Sequence, residues 1–307
     1  MNKFPFFSVI LPIHRVDTAY LIQCLDSLRK QTFTDFEAIL ILNDSSDSEK
    51  KICNAFCEQD SRFKLFSLGI ANVSAARNIG LVNALGSHIA FLDCDDFMPK
   101  NALENLFSLA STNVDVGLAN AKKIWDKGNE KKLFKFHKSV RKIILKKIPN
   151  FAVWGYFFKK EIIKKYNITF NEQLQFSEDR LFIYTYLTHS KIIAYSNEIV
   201  YYYRQHSNSV CHKAFTLDNL QQQFLATSLI VQTLKENSNE NRLSIFKIKS
   251  KYIRASLIGY FLSDIQNQHN TEKIRNFYLS LGYTTTSFNY FFWRSKAAAL
   301  FSKFLRL

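Results

Sequence analysis

Residues 89–96 read Ile-Ala-Phe-Leu-Asp-Cys-Asp-Asp, and this stretch decides how the rest of the chain is interpreted. Its four apolar residues predict a short buried strand, and three carboxylates follow within four positions. Carboxylates this close together repel one another, so a cation is their usual partner. Small clusters of hard oxygen ligands suit Mg²⁺ or Mn²⁺, ions that often share their coordination shell with substrate phosphates. The structural alternative is a polar turn in which Asp95 or Asp96 caps the helix that begins near Pro99.

Strands and helices are predicted to alternate on both sides of this stretch. Apolar strands are predicted at residues 7–11, 36–42, 63–67 and 89–92, with helical spacing between them. Strands separated in this way form parallel βαβ units, whose ligands bind beyond the carboxyl ends of the strands. Polar residues follow three of these strands, at 12–15, 43–44 and 93–96. We therefore expect an α/β fold with one ligand site at that edge of the sheet.

The sequence changes character in its second half. Residues 122–147 are strongly basic and lack clear periodicity, which is typical of a solvated face. A segment that meets phosphates or a membrane is the functional alternative. Another strand is predicted at 192–203, and the pattern is helical beyond about residue 215. The expected organisation is a main domain at 1–215, with halves at 1–120 and 121–215, and a C-terminal helical region at 216–307.

Charge and cysteine content restrict the class of protein. The formal net charge is +15, which favours a polyanionic partner such as nucleic acid, an anionic membrane face or a phosphorylated substrate. Five cysteines form an odd set without paired metal-ligand spacing, so reduced thiols are expected. No apolar run is long enough to cross a bilayer, and no export signal is evident. We therefore expect a cytoplasmic protein.

Six short segments occur in order within residues 6–210. They are residues 7–13, 31–37, 72–80, 91–96, the pair Glu178-Asp179, and residues 203–206. Together they resemble the family 2 glycosyltransferases, inverting enzymes that use nucleotide sugars. The resemblance implies a GT-A fold, with a mostly parallel sheet flanked by helices, and here a C-terminal helical extension follows it.

The resemblance implies roles on the donor side of the site. It assigns metal contact to Asp95, with His206 completing the metal shell or touching a phosphate, and places Asp93 toward the ribose or the metal. Arg77 would meet a uracil edge or the pyrophosphate, because its guanidinium is always charged. A surface helix arginine and an ordinary loop histidine are the structural alternatives. The expected cofactor is Mn²⁺ or Mg²⁺. The other donor-side positions are Pro12, His14, Asn43, Asp44, Cys94 and Arg204.

Two segments depart from the family pattern. The second strand ends in Asn43-Asp44-Ser45-Ser46-Asp47, without the glycine that usually follows the paired aspartates. His14 and Arg15 replace the usual Tyr-Asn after the first strand. Both departures concern the nucleotide pocket, and Asp44 is the position that matches the base-reading aspartate.

The resemblance also implies roles on the acceptor side. Inversion needs a base that takes the proton of the acceptor hydroxyl, and the second acid of the pair, Asp179, matches it. Glu178 would orient the acceptor or its loop. Trp154, followed by Gly155, resembles the aromatic residue on which acceptor sugars stack. Helix capping for Asp179 and a core position for Trp154 are the structural alternatives.

The resemblance implies transfer of a hexose or N-acetylhexosamine from a UDP-sugar to a cell-envelope glycan such as lipooligosaccharide or capsule. A nucleotidyltransferase is the alternative enzyme, although the first βα turn lacks a Gly- and Arg-rich phosphate loop. A nucleic-acid-binding protein would fit the charge, but no aromatic and basic interleaving of a known module occurs. We therefore expect no nucleic-acid partner.

The C-terminal segment at 288–307 is aromatic and basic and has no acidic residue. Its composition suits an amphipathic helix lying on the inner membrane face in peripheral contact with anionic lipid. The alternative is that the apolar stripe packs on the protein itself or forms a dimer. The stripe is predicted to comprise Phe291, Phe292, Trp293, Leu300, Phe301, Phe304 and Leu305.

Overall fold

The computed structural model describes residues 4–111, 113–125, 128–134, 139–143, 145, 148, 152–205, 216–238, 242–263, 271–281 and 284–304. Contacts divide the chain into two compact units. The first comprises Met1–Gln173 with His189–His206, and the second comprises Leu174–Thr188 with Ser207–Leu307. The helix at 178–188 thus groups with the C-terminal helices, whereas the sequence placed it in the main domain.

The first unit contains nine strands and five helices among its described residues. The strands are β1 Phe7–Ile13, β2 Phe36–Asn43, β3 Phe63–Leu68, β4 His88–Phe91, β5 Val116–Trp125, β6 Glu130–Lys132, β7 Ser139–Lys142, β8 Tyr156–Lys159 and β9 Ile192–Gln205. The helices are α1 Thr18–Arg29, α2 Asp47–Gln59, α3 Val73–Asn83, α4 Ala102–Ala110 and α5 Lys160–Lys165.

All nine strands form one sheet in the order β3-β2-β1-β4-β8-β5-β9-β7, with β6 paired to β5. β3, β2, β1 and β4 are parallel, whereas β8 is antiparallel to both β4 and β5. β9 runs parallel to β5. The predicted α/β class with flanking helices is confirmed, and the sheet is mixed beyond β4.

β1, β2 and β4 are mostly apolar because helices cover both of their faces, and their buried polar residues are Ser8, Glu37, Asn43 and His88. Every residue of β1 and of β2 is buried. On α3 the packing is close: a Cβ added to Gly80 would lie 2.4 Å from Cγ2 of Ile10. Glycine therefore allows α3 to approach β1, which fixes the position of the side chains that α3 carries to the sheet edge.

The basic stretch at 122–147 contains strands that its sequence pattern did not reveal. It includes the end of β5 and all of β6 and β7. Lys122 lies opposite Lys132 in the antiparallel pair of β5 and β6, and Lys122 Nζ lies 2.6 Å from Glu130 Oε2. Because β6 is an exposed strand at the margin of the sheet, lysine replaces the apolar alternation that identifies a half-buried strand.

The second unit is helical in its described residues. Its helices are α6 Glu178–Thr188, α7 Leu217–Asn237, α8 Arg242–Ser263, α9 Thr271–Ser280 and α10 Thr285–Phe304. Leu220, Phe224, Ile253, Leu257 and Tyr278 are the centre of its apolar core.

The C-terminal stripe does not face solvent where its side chains are described. Phe291 and Phe292 are each 2% exposed and lie in the core of the second unit, together with Phe288. The side chains of Trp293, Leu300, Phe301, Phe304 and Leu305 lie outside the described part of the chain. The packing alternative therefore holds for the described members of the stripe.

Within the described residues, no helix is both long enough and apolar enough to span a membrane.

Candidate active site

The carboxyl ends of β1, β2 and β4 lie side by side at one edge of the sheet. Ile13 pairs with Leu42, and Ile10 pairs with Phe91. Leu92 continues the register, because its amide donates to the carbonyl of Ile10 at 3.0 Å. The residues that follow these three strands are therefore neighbours, as the parallel arrangement predicted.

His14 and Asn43 join the ends of β1 and β2. His14 Nδ1 donates to the carbonyl of Asn43 at 2.6 Å. Asn43 is 3% exposed, and its Oδ1 accepts from the amide of Asn72 at 2.8 Å. Asn43 thus holds the start of α3 against the sheet edge rather than pointing into solvent.

Asp44 follows Asn43 in a left-handed conformation, with φ 55°. Its carboxylate accepts from the Arg15 guanidinium at 3.0 Å, and the side chain of Asp44 is 42% exposed. Asp44 is therefore accessible to a ligand. Such a ligand would contact the Asp44 carboxylate together with the adjacent Arg15 guanidinium.

Pro12 and Cys94 are the other predicted donor-side positions on these strands. Pro12 lies buried within β1, opposite Ile41 of β2. Cys94 is half-buried between the two acids, and burial together with the charge of Asp95 raises the pKa of its thiol. The side chain is therefore a neutral thiol at ordinary pH and supplies no charge to the site.

Asp93 and Asp95 are the half-buried acids after β4. Asp93 Oδ1 lies 3.2 Å from an Nη of Arg77, whose side chain is only 5% exposed. The Arg77 guanidinium also lies over the ring of Phe170, with its Cζ 5.3 Å from the centroid. Arg77 is thus a buried cation of the site, and the surface-arginine alternative does not hold.

Asp96 has the opposite orientation and is 1% exposed. Its Oδ2 accepts from the Tyr201 hydroxyl at 2.6 Å, and its Oδ1 accepts from the amide of Arg204 at 2.7 Å. The Tyr201 hydroxyl in turn accepts from the amide of Asp93 at 3.2 Å. Burial raises the pKa of Asp96 well above its ordinary value, and the charges of Asp95 and Asp93 add to this effect. These bonds fasten the acidic turn to β9.

Arg204 holds the same turn from its other side. Its Nε donates to the carbonyl of Asp95 at 2.9 Å, and its guanidinium also donates to Gln23 of α1. The guanidinium lies over the Tyr20 ring, with 4.1 Å between Cζ and the centroid. In the described structure Arg204 contacts the backbone of the acidic turn, so its predicted contact with donor would be additional to this positioning role.

The segment that begins at Asn72 builds the wall beside these acids. The Asn72 side chain accepts from the amide of Ala75 and so caps α3. Asn78 donates to the carbonyl of Phe170 at 3.0 Å and accepts from the amide of Phe170 at 2.8 Å. The motif residues therefore place Arg77 and hold the segment whose aromatic ring lies against it.

Trp154 packs inside the first unit. It is 8% exposed and stacks on Tyr201, with ring centroids 4.8 Å apart. This position agrees with the structural alternative, and its contact with acceptor stays a prediction. Gly155 has φ +80°, a conformation that favours glycine, and its carbonyl accepts from the amide of Ala119 at 2.9 Å.

Glu178 and Asp179 form the first turn of α6 in the second unit, and both are half-buried. Ser177, immediately before them, has φ 68°. His206, the predicted further metal ligand, lies outside the described residues.

The donor set allows a test of whether a divalent ion fits. Among the described residues, no group of three or more His, Cys, Asp and Glu side chains is arranged to hold a metal. Asp93 and Asp95 nevertheless offer hard carboxylate oxygens at one turn. Mg²⁺ is commonly held by one or two carboxylates together with water and substrate phosphates. The residues therefore fit an ion that binds with a diphosphate, and they do not fit an all-protein cage.

The role of Tyr201 was missed from the sequence, as was the inward orientation of Asp96. The two residues are 105 positions apart, and they meet because Phe97, next to Asp96, forms an antiparallel bridge with Tyr202, next to Tyr201. The sequence signal for this contact was Asp96 itself. A metal site needs only two of the three carboxylates, and a third carboxylate that is buried requires a hydrogen-bond donor.

Comparison with known proteins identifies the family. The model of "Glycosyl transferase family 2" matches residues 8–172. The "Uncharacterized glycosyltransferase EpsJ" of Bacillus subtilis (strain 168) is 26% identical over 243 residues, which cover 72% of this chain and 68% of that protein. The "Minor teichoic acid biosynthesis protein GgaB" of the same organism is 29% identical over 207 residues, 64% of this chain but 23% of GgaB.

The fold is also found among solved structures. The crystal structure of S. aureus TarS 1-349 in complex with UDP-GlcNAc superposes with a TM-score of 0.70 at 21% sequence identity. The match covers 90% of this chain and 79% of that one. The structural likeness supports the fold, and the family match covers more than half of the chain. The chain belongs to glycosyl transferase family 2 and is a glycosyltransferase.

Proposed function

We propose that this enzyme transfers a hexose or N-acetylhexosamine from a UDP-sugar to a hydroxyl of a cell-envelope glycan, with inversion at the anomeric carbon. The observation that carries the proposal is the acidic turn after β4. Two half-buried carboxylates, Asp93 and Asp95, occur there beside the buried Arg77. A cation-and-carboxylate site of this kind suits a nucleoside diphosphate that arrives with a divalent ion.

The proposed donor contacts follow from the described geometry. Asp44 would meet the base, and Arg77 would meet the uracil edge or the pyrophosphate as a fixed fork donor. Asp95, with Asp93 and the undescribed His206, would hold Mn²⁺ or Mg²⁺. When bound, such an ion supplies positive charge that stabilises the departing diphosphate.

The proposed chemistry is a single displacement. The acceptor oxygen forms a bond to the anomeric carbon while the bond from that carbon to the diphosphate oxygen breaks. Asp179 takes the proton of the acceptor hydroxyl, and UDP leaves with the electron pair. Glu178, Trp154 and Gly155 are proposed to orient the acceptor.

The relatives support the envelope assignment. GgaB is named for minor teichoic acid biosynthesis, and TarS was solved with UDP-GlcNAc. We infer a UDP-sugar donor and a polymeric or lipid-linked envelope acceptor from these names together with the net charge of +15, which favours anionic partners. We propose that the enzyme acts on the cytoplasmic side of the membrane and is in peripheral contact with it.

The test is release of UDP from a panel of UDP-sugars in the presence of purified cell-envelope acceptors. We expect acceptor-dependent release with at least one sugar, and none from Asp95→Ala. Calorimetry should show that Asp95→Ala also loses Mn²⁺-dependent UDP affinity. Asp35→Ala is the matched control, because Asp35 is an exposed aspartate that precedes β2 at the opposite edge of the sheet. Unchanged Mn²⁺-dependent UDP affinity in Asp95→Ala would remove Asp95 from the metal site.

A further inference from the structure

Helix α8 presents two chemically different faces. Ile248, Ile253 and Leu257 are at most 2% exposed and form part of the packed interior of the second unit. Near the start of the helix, Leu243 is 60% exposed, and Phe246, which lies two turns before Ile253 on the same side, is 52% exposed. A partner that covered these two side chains would remove their apolar surface from water, which is favourable.

Basic residues lie on the exposed side of the helix. Lys247, Lys251 and Arg254 are exposed, and they continue the three- and four-residue spacing that begins at Leu243, while Phe246 borders this stripe. We call these five residues the α8 outer face. A groove of about 450 Å³ runs along part of it, lined by Phe246, Ala255 and Ile258 as well as by its three cations.

The two helices at the α8 outer face, α8 and α10, carry basic residues and no acid within their bounds. Residues 242–263 carry five Lys and Arg residues and no acid. Helix α10 packs against α8, and the ring centroids of Phe246 and Phe291 are 6.4 Å apart. Residues 285–304 of α10 likewise contain basic residues and no acid. The Arg294 guanidinium there lies 5.1 Å from the centroid of the exposed Tyr290 ring.

We propose that the α8 outer face is the surface through which this protein binds an anionic lipid bilayer. Exposed Leu and Phe flanked by Lys and Arg match the boundary between headgroups and acyl chains, where rings insert and cations remain with phosphates. A soluble polyanion would use the three cations but would gain nothing from Leu243 and Phe246. The pairing of both kinds of side chain therefore favours a bilayer.

This surface differs from the one that the sequence indicated. Phe291 and Phe292 are core residues, so α10 packs against α8 and does not expose those rings to lipid. The proposal concerns binding to lipid and does not depend on which sugar the enzyme transfers.

The test is co-sedimentation of the full chain with vesicles of phosphatidylglycerol and phosphatidylcholine in equal parts, and with vesicles of phosphatidylcholine alone. The unmodified protein should bind the anionic vesicles, and raised salt should weaken binding. The triple variant Lys247→Glu, Lys251→Glu, Arg254→Glu should bind on the order of 100-fold more weakly, because each basic residue near the surface adds about 1 kcal/mol.

The matched control is Lys235→Glu, Lys273→Glu, Arg275→Glu, which makes the same change in charge at exposed positions of α7 and α9. It should retain most of the affinity. The double variant Leu243→Ser, Phe246→Ser should weaken vesicle binding about tenfold or more, since it removes buried apolar area, while its binding to soluble polyphosphate stays unchanged.

Three results would overturn the proposal. The first is absence of binding to anionic vesicles at low salt. The second is an equal loss in the α8 and control triple variants, which would indicate diffuse charge attraction. The third is unchanged vesicle binding in Leu243→Ser, Phe246→Ser, which would make the surface a polyanion site. Thermal unfolding of each variant checks that the fold is retained, and UDP release measures the proposed activity separately.

Discussion

At the scale of the residue, the three closely spaced acids after β4 have three different surroundings. Asp93 pairs with the buried Arg77, whereas Asp95 is half-buried and has its backbone carbonyl held by Arg204. Asp96 is buried and accepts from Tyr201 and from the Arg204 amide. The first two acids are therefore oriented for a ligand, and the third anchors the turn that carries them.

Replacing Tyr201 with Phe should loosen that turn without disturbing the ring that stacks on Trp154. Removal of the hydroxyl leaves Asp96 one donor short, which costs about 1–3 kcal/mol of unfolding free energy. We expect weaker Mn²⁺-dependent UDP binding and a raised KM for the donor, with a smaller change in kcat. Urea denaturation and calorimetry measure the two effects.

Tyr202→Phe is the control, since the neighbouring Tyr202 packs its ring against Phe97 and, among the described contacts, its hydroxyl makes no hydrogen bond to the acidic turn. If Tyr201→Phe loses stability but binds UDP as the unmodified enzyme does, the Tyr201 hydroxyl serves the fold alone.

Replacing Asp179 with Asn should separate its role as base from that of a residue in the first turn of a helix. Asn keeps the shape and the capping ability but takes no proton, so transfer should slow by on the order of 10²–10⁴. UDP-sugar affinity and thermal stability should remain. Asp218→Asn, at an exposed acid in the first turn of α7, should leave the rate intact. Retention of most of the rate in Asp179→Asn would reduce Asp179 to a structural role.

At the scale of the element, the Glu37 side chain connects β1, β2 and β3 with the segment before β4 at the amino-terminal edge of the sheet. Its carboxylate, on β2, accepts from Ser8 of β1 at 2.6 Å, Lys64 of β3 at 2.7 Å and the Leu85 amide before β4 at 2.6 Å. Burial opposes ionisation, but these donors outweigh it and lower the pKa of Glu37. The network holds the strand ends opposite the active site in register.

The lowered pKa predicts a dependence of stability on pH. A carboxyl whose folded pKa lies below its unfolded value, about 4.3, contributes stability above that value. The contribution is lost as pH falls through the folded pKa. Between about pH 5 and more acidic conditions, the unfolding free energy should fall more steeply for the unmodified protein than for Glu37→Gln. Urea denaturation over a pH series measures it, with the exposed Glu58→Gln as control. Parallel curves for the unmodified protein and Glu37→Gln would show that the network carries no net linkage.

Sequence reasoning found the buried strands β1, β2 and β4 but missed the interior strands β5 and β8 as well as β6 and β7. β1, β2 and β4 are buried on both faces and read as apolar runs, so they and the acids that follow them were predicted. β6 and β7 lie at the margins of the sheet, and lysines such as Lys131, Lys132 and Lys142 hide their periodicity. The Asp96–Tyr201 contact was missed because it depends on the register of β9, which contains a bulge opposite Leu118 and Asn120.

At the scale of the whole molecule, the C-terminal helix contributes to a packed core. Phe291→Ala should destabilise the second unit by about 3–5 kcal/mol, since it empties a fully packed site. Tyr290→Ala, one position away and 52% exposed in the native chain, should change stability by less than about 0.5 kcal/mol. Urea denaturation followed by circular dichroism measures the difference. Equal small effects would mean that α10 packs loosely.

A ribosome making this chain releases Asp93, Asp95 and Asp96 well before Tyr201, which is 105 residues beyond Asp96. Until β9 emerges, the Asp96 carboxylate lacks both of its hydrogen-bond donors. It is more stable in water during this time, because a buried charge without partners is costly. The half of the chain that carries the acidic turn is therefore translated early but matures late. A nascent chain that stalls before residue 201 contains all three aspartates but lacks the contacts from Tyr201 and Arg204 that hold the acidic turn.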